Sequence, residues 1–186
     1  MILTGREIEK QCRAGRIAIS DFDAARVTTN SYDLLLGDQL LRYRSETLDA
    51  RRENEYEVFP LPEEGYLMQK GEFLLAETAD ELGSDHYVPT IHGRSGVARL
   101  GLFVHINSEL VDVGYYGKLP LQLFATLPIR IYPRMGIAQV SFWQMSGDPE
   151  LCYGQYAGAS EPNPFPFYKD FPNGNGAIAQ ASANGL

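Results

Sequence analysis

His92-Gly93-Arg94-Ser95-Gly96-Val97-Ala98-Arg99-Leu100-Gly101-Leu102, followed by Val111-Asp112-Val113-Gly114-Tyr115-Tyr116-Gly117, is the stretch on which the reading of this chain turns. Arg94, Ser95 and Gly96 set a guanidinium, a hydroxyl and open backbone N–H groups on consecutive positions. That donor set suits phosphate oxygens, because glycine lets the main chain approach closely. Asp112 then supplies a carboxylate in a hairpin-like Asp-x-Gly-Tyr between two valines, where partial desolvation favours general-base work; a turn-capping aspartate is the alternative.

The remainder of the chain narrows the class of ligand. With 186 residues and 20.7 kDa, one domain with a substantial core is expected. A net charge of −8 excludes a broad basic footprint for long nucleic acid, whereas a mononucleotide needs only a few local cations such as Arg94 and Arg99. Two cysteines, Cys12 and Cys152, make no disulfide framework and no metal-type spacing, which fits a reducing cytoplasm. Neither a signal peptide nor a membrane-length apolar run is read in the sequence, so no membrane partner is expected.

Thr4-Gly5-Arg6-Glu7 is a capping-box pattern that predicts a short helix over about residues 5–14, read as the only clear helix. Beyond it lie many short strand-like segments: 16–20, 32–36, 39–44, 56–59, 66–68, 72–77, 88–92, 102–106, 119–125, 129–131 and 138–143. Gly, Pro and Asp punctuate them, which predicts an all-β barrel or jelly roll. Tyr32, Phe103 and Trp143 are read as core, and His92 and His105 as structural histidines. The charged run 49–57 reads as a solvated loop. The domain is expected to span 1–172, with an aromatic, proline-spaced arm around Phe165–Phe171 and a flexible tail over 173–186.

The two opening motifs, together with Thr29-Asn30-Ser31-Tyr32-Asp33-Leu34-Leu35-Leu36-Gly37 and Met135-Gly136-Ile137-Ala138-Gln139-Val140, resemble the motif set of the trimeric dUTPase and dCTP deaminase family. Along its length the chain is most similar to the dCTP deaminase branch. The resemblance implies a distorted barrel of the dUTPase type, a homotrimer with sites between subunits, and a deoxyribonucleoside triphosphate ligand, dUTP or dCTP. It implies phosphate or nucleotide contacts from Arg94, Ser95, Gly96, Gln139 and Tyr156, a water-activating role for Asp112, and Tyr115 beneath the deoxyribose. Arg99 matches the family's second arginine. Mg²⁺ is expected on the substrate phosphates, with no direct protein ligand and Asp33 in its water network or as a buried structural aspartate.

At Gln122, ten residues after Asp112, the resemblance breaks, because the deaminase branch carries Glu there. An amide cannot titrate, so Gln122 can hold a water or a base edge but cannot shuttle protons. Gly96 leans the same way, since the deaminase pattern is more often Arg-Ser-Ser. Glu109, Ala125 and the 155–162 segment also depart from the family. The primary expectation is therefore hydrolysis of dUTP to dUMP and pyrophosphate. The alternatives are dCTP deamination, natural or disarmed by a Glu-to-Gln change, and a non-catalytic nucleotide-binding trimer.

Overall fold

The computed structural model describes residues 1–149, 151, 162, 164 and 167–170. The expected all-β architecture is present. Helix α1 (Gly5–Arg13) is capped by Thr4, whose side chain accepts from the Glu7 N–H, and it buries Ile8 completely. The strands are β1 (Ala18–Ile19), β2 (Tyr32–Tyr43), β3 (Tyr56–Pro60), β4 (Tyr66–Met68), β5 (Phe73–Gly83) and β6 (Tyr87–Gly93). After helix α2 (Ser95–Arg99) come β7 (Leu102–Phe103), β8 (Tyr116–Ala125), β9 (Ile129–Ile131) and β10 (Gly136–Gln144).

The main sheet runs β6-β10-β2-β5-β8-β7, with β1 on β5 and β3 on β2; β4 and β9 form a separate pair. Its two outer edges are joined by the segment between β7 and β8. At one end the Gln122 N–H donates to the Val104 carbonyl at 3.1 Å; at the other, Ile91 N–H donates to Glu109 and Val111 N–H to Pro89, and Thr90 bridges Leu110. Residues 104–111 are thus a seam that nearly closes the sheet into a barrel, satisfying edge groups that would otherwise be unpaired. The interior holds Tyr32, Leu34, Leu36, Leu121, Leu123, Ile137, Val140 and Phe142, all fully buried; period-two alternation along β2 and β8 accounts for the first five, whereas β10 carries a register shift between Gly136 and Ala138 and buries Ile137 as well as Val140 and Phe142.

Several local expectations are corrected. Segments 32–36 and 39–44 are one strand, β2, bent by a register shift between Leu36 and Leu40 in its pairing with β5. The residues Ser95–Arg99 form a second helix, too short to show periodicity in the sequence. The strand expected over 102–106 ends at Phe103, where the seam begins. Phe103 is 53% and Trp143 41% exposed: each follows an inward-facing neighbour, Leu102 and Phe142, so alternation turns it outward. Residues 173–186, Tyr156 and Phe165 lie outside the described residues; residues 167–170 form a single 3-10 turn.

Candidate functional site

Motifs far apart in sequence meet where β2, β10 and β6 lie side by side. Gln139 is paired in register with Asp33 on one side and His92 on the other, so three polar side chains stand in one row across three strands. The next row, Tyr32, Val140 and Ile91, faces the core. Arg94 leaves the end of β6 and returns to this row. Its Nη2 lies 3.0 Å from Asp33 Oδ2, and its Nη1 donates to the Gly136 carbonyl at 3.4 Å. Gln139 is braced from both ends: its Nε2 donates to the Gly93 carbonyl, and its Oε1 accepts from Ser31 Oγ at 2.8 Å. Behind Asp33, the Arg26–Asp80 pair at 2.8 Å is nearly buried, and Asp80 accepts the Leu35 N–H.

Ser95 and Gly96 open α2 and are exposed. A Cβ on Gly96 would meet no atom within 4 Å, so the packing of the chain itself does not require glycine there. Arg99, at the other end of α2, is exposed and makes no ion pair among the described residues. His92 Nε2 lies 2.9 Å from Ser141 Oγ on the neighbouring strand.

The second group of expected residues lies across the sheet, near β8. Tyr115 Oη donates to the Lys118 carbonyl at 2.5 Å. Lys118 Nζ in turn donates to Glu77 at 2.5 Å, whose side chain is only 4% exposed. Gly83 admits this arrangement, because a Cβ there would come within 2.1 Å of the Tyr115 carbonyl oxygen. Burial, reinforced by Glu77 and Glu81, pushes the Tyr115 phenol above its ordinary pKa; it stays a neutral donor. Gln122 is half-buried, and its Oε1 accepts from the Ile106 and Asn107 N–H groups, both at 3.4 Å. Two backbone donors fix which end of the amide is oxygen. Gln122 therefore pins the seam, a structural task its sequence context did not suggest. His105, between the residues that hold Gln122, has both ring nitrogens buried without a hydrogen-bond partner among the described residues.

Asp112 departs from the expected partial desolvation. It is exposed, while Val111 and Val113 beside it are half-buried, and its carbonyl accepts the Tyr115 N–H at 3.2 Å, which makes Asp112 the first residue of a turn. Within one chain, no hydrogen bond or ion pair among the described residues joins Asp112, Tyr115 or Gln122 to the Asp33–Arg94–Gln139 row. Sequence reasoning missed Gly136, Ser31 and the Lys118–Glu77 pair as participants. Gly136 stood inside a quoted motif, but its role depends on an arginine 42 positions away. Metal-ligand clusters of three or more His, Cys, Asp or Glu are absent among the described residues, and no helix among them is long and apolar enough to cross a membrane.

Comparison with known proteins identifies the lineage of this arrangement. Residues 2–145 match the model of a family described as dCTP deaminase-like. The chain is 41% identical over 166 residues to a dCTP deaminase of Rhodopirellula baltica, covering 88% of this chain and 83% of that protein. It is 39% identical over 172 residues to a dUMP-forming dCTP deaminase of Clostridium botulinum, covering 92% and 99%. The solved structure of 2'-deoxycytidine 5'-triphosphate deaminase from Agrobacterium tumefaciens shares the fold, with a TM-score of 0.61 at 20% identity over 76% of this chain; the match spans 47% of that longer chain. The chain belongs to the dCTP deaminase-like family, the branch the sequence motifs most resemble.

Proposed function

We propose that this chain binds a pyrimidine deoxynucleoside triphosphate and processes dCTP, as the names of its relatives imply for them. The observation that carries this reading is the 39% identity to a dUMP-forming dCTP deaminase across 92% of the chain. Deamination adds water at C4 of cytosine and expels ammonia, so a group must take a proton from the water and return it to the departing nitrogen. Gln122 cannot titrate. Asp112 is the group assigned to the water that attacks the α-phosphorus, so deamination in this reading takes its proton carrier from elsewhere in the assembled homotrimer. Arg94, Ser95, Gly96 and Arg99 face the triphosphate in this reading, and Tyr115 packs under the sugar. Asp33 is engaged by Arg94, and in this reading Mg²⁺ arrives on the triphosphate.

Gln122 itself favours a second reading. Attack of water on the α-phosphorus breaks the bond to the bridging oxygen and releases pyrophosphate, and this step needs no carboxyl at position 122. In that reading the chain hydrolyses dUTP to dUMP, the product in the name of the dUMP-forming relatives.

Ammonia and pyrophosphate release from dCTP and from dUTP, with Mg²⁺, separate the readings when the chain is run beside Gln122→Glu. Ammonia from the unaltered chain establishes deamination. Pyrophosphate from dUTP without ammonia from dCTP establishes the hydrolase. Nucleotide binding with neither product leaves a non-catalytic trimer and overturns both.

A further inference from the structure

We infer that Asp33 and Gly136 are positioning residues which hold the Arg94 guanidinium at a fixed angle toward the phosphate end of the nucleotide. The inference rests on the reading that Arg94 faces phosphate, and it assigns Asp33 a task other than the metal-water network expected from the sequence.

The clamp has three elements. Asp33 Oδ2 holds Nη2 at 3.0 Å; the carboxylate side chain is 18% exposed and the arginine side chain 42%, so the holder is covered and the held group faces outward. The Gly136 carbonyl accepts from Nη1. The Gly136 Cα forms the floor: a Cβ at this position would sit 2.1 Å from Nη1. A register shift between Gly136 and Ala138 in the β2–β10 pairing turns the Gly136 backbone toward the guanidinium, as bulges do beside functional sites. A guanidinium carries five N–H donors in a rigid fork. Two are spent on the clamp, and the others have no partner among the described residues. An arginine already ordered loses less side-chain entropy when it receives an anion.

Both holders are tested without changing net charge. Asp33→Glu moves the carboxylate by one methylene. Gly136→Ala displaces the flexible end of Arg94, which can yield without disturbing the backbone. The probe is inorganic tripolyphosphate, titrated against the whole chain with and without Mg²⁺, with thermal melting as the check on folding. The expected result is affinity about tenfold weaker in each variant, in both buffers, at an unchanged melting temperature. On an Arg94→Lys background, neither substitution should cost anything further, since there is no longer a guanidinium fork to aim.

Wild-type affinity in both variants, equal losses on the Arg94→Lys background, a loss from Asp33→Glu seen only with Mg²⁺, or no tripolyphosphate binding by the unaltered chain would each overturn the inference. Should Gly136→Ala fail to fold, Asp33→Glu and its Arg94→Lys cycle carry the test alone. Tripolyphosphate binding is read without turnover, so failure of the proposed activity leaves this result intact.

Discussion

The Tyr115 hydroxyl donates its proton to the main-chain carbonyl of Lys118, three residues on, at 2.5 Å, so it has no hydrogen left to give a ligand, which would meet the ring. Removing that bond with Tyr115→Phe should cost about 1 kcal/mol of stability, the usual worth of one internal hydrogen bond. Discrimination between deoxy- and ribonucleotides should survive, because the ring remains. Chemical denaturation and competition binding with dCTP and CTP check the two halves. Lost discrimination in Tyr115→Phe would mean that the hydroxyl, not the ring, reads the sugar.

Asp112→Asn should retain nucleotide binding and lose turnover by about a hundredfold or more, the scale of a missing general base. Its exposure makes a folding defect an unexpected outcome. Single-turnover kinetics with the better of dCTP and dUTP gives the comparison, and unchanged turnover would remove Asp112 from the chemistry.

Asp80 couples the Arg26 guanidinium to the Leu35 N–H behind the row of Asp33, Gln139 and His92. Asp80→Ala removes the countercharge of Arg26, whose side chain is only 14% exposed and keeps only the Asp21 and Asp33 carbonyls as acceptors, and should destabilise the fold by roughly 3 kcal/mol. Urea titration reads the loss directly. Arg26 also lies 4.7 Å over the Tyr32 ring, so part of the damage should appear as altered near-ultraviolet dichroism.

Burial, with a smaller contribution from Glu9, pushes the Cys12 thiol up to about 11. In a Cys152→Ser background, alkylation at pH 8 should therefore run about a hundredfold slower than for a free thiol. The rate should climb until pH approaches 11. A neutral thiol favoured by the fold adds stability below its unfolded pKa, and that share is lost as pH rises through 11. A mass-spectrometric time course across pH 7–11 follows the first effect.

Scattering or sedimentation should give about 62 kDa, three times the 20.7 kDa of one chain. Dilution into monomers should abolish turnover if, as proposed, neighbouring subunits share the site. A monomer with full activity would place the whole site in a single subunit.

The fold was legible in the sequence where alternation was regular. Leu119, Leu121 and Leu123 in β8, all buried, announce a strand with one face inside. The helix α2 was not legible, since five residues show no helical period. Phe103 and Trp143 misled because a large aromatic signals burial only on average, and each sits one position out of phase with the core. Arg94, Asp33 and Gln139 were found through their motifs. The Arg94–Asp33 contact beside Gln139 was hidden, because it arises from the register of three strands whose order in the sheet departs from their order in the chain.

The seam from Val104 to Val111 has a consequence for how this protein can change. Its backbone ties β8 to β6 and rests on the Gln122 amide. Lengthening the seam or swapping it for another loop would release the ties at both edges along with whatever the loop touches. Insertion and deletion are therefore costly here, whereas the exposed side chains of residues 106–110 can be exchanged with the backbone ties intact; variation in this loop is open in chemistry and closed in length.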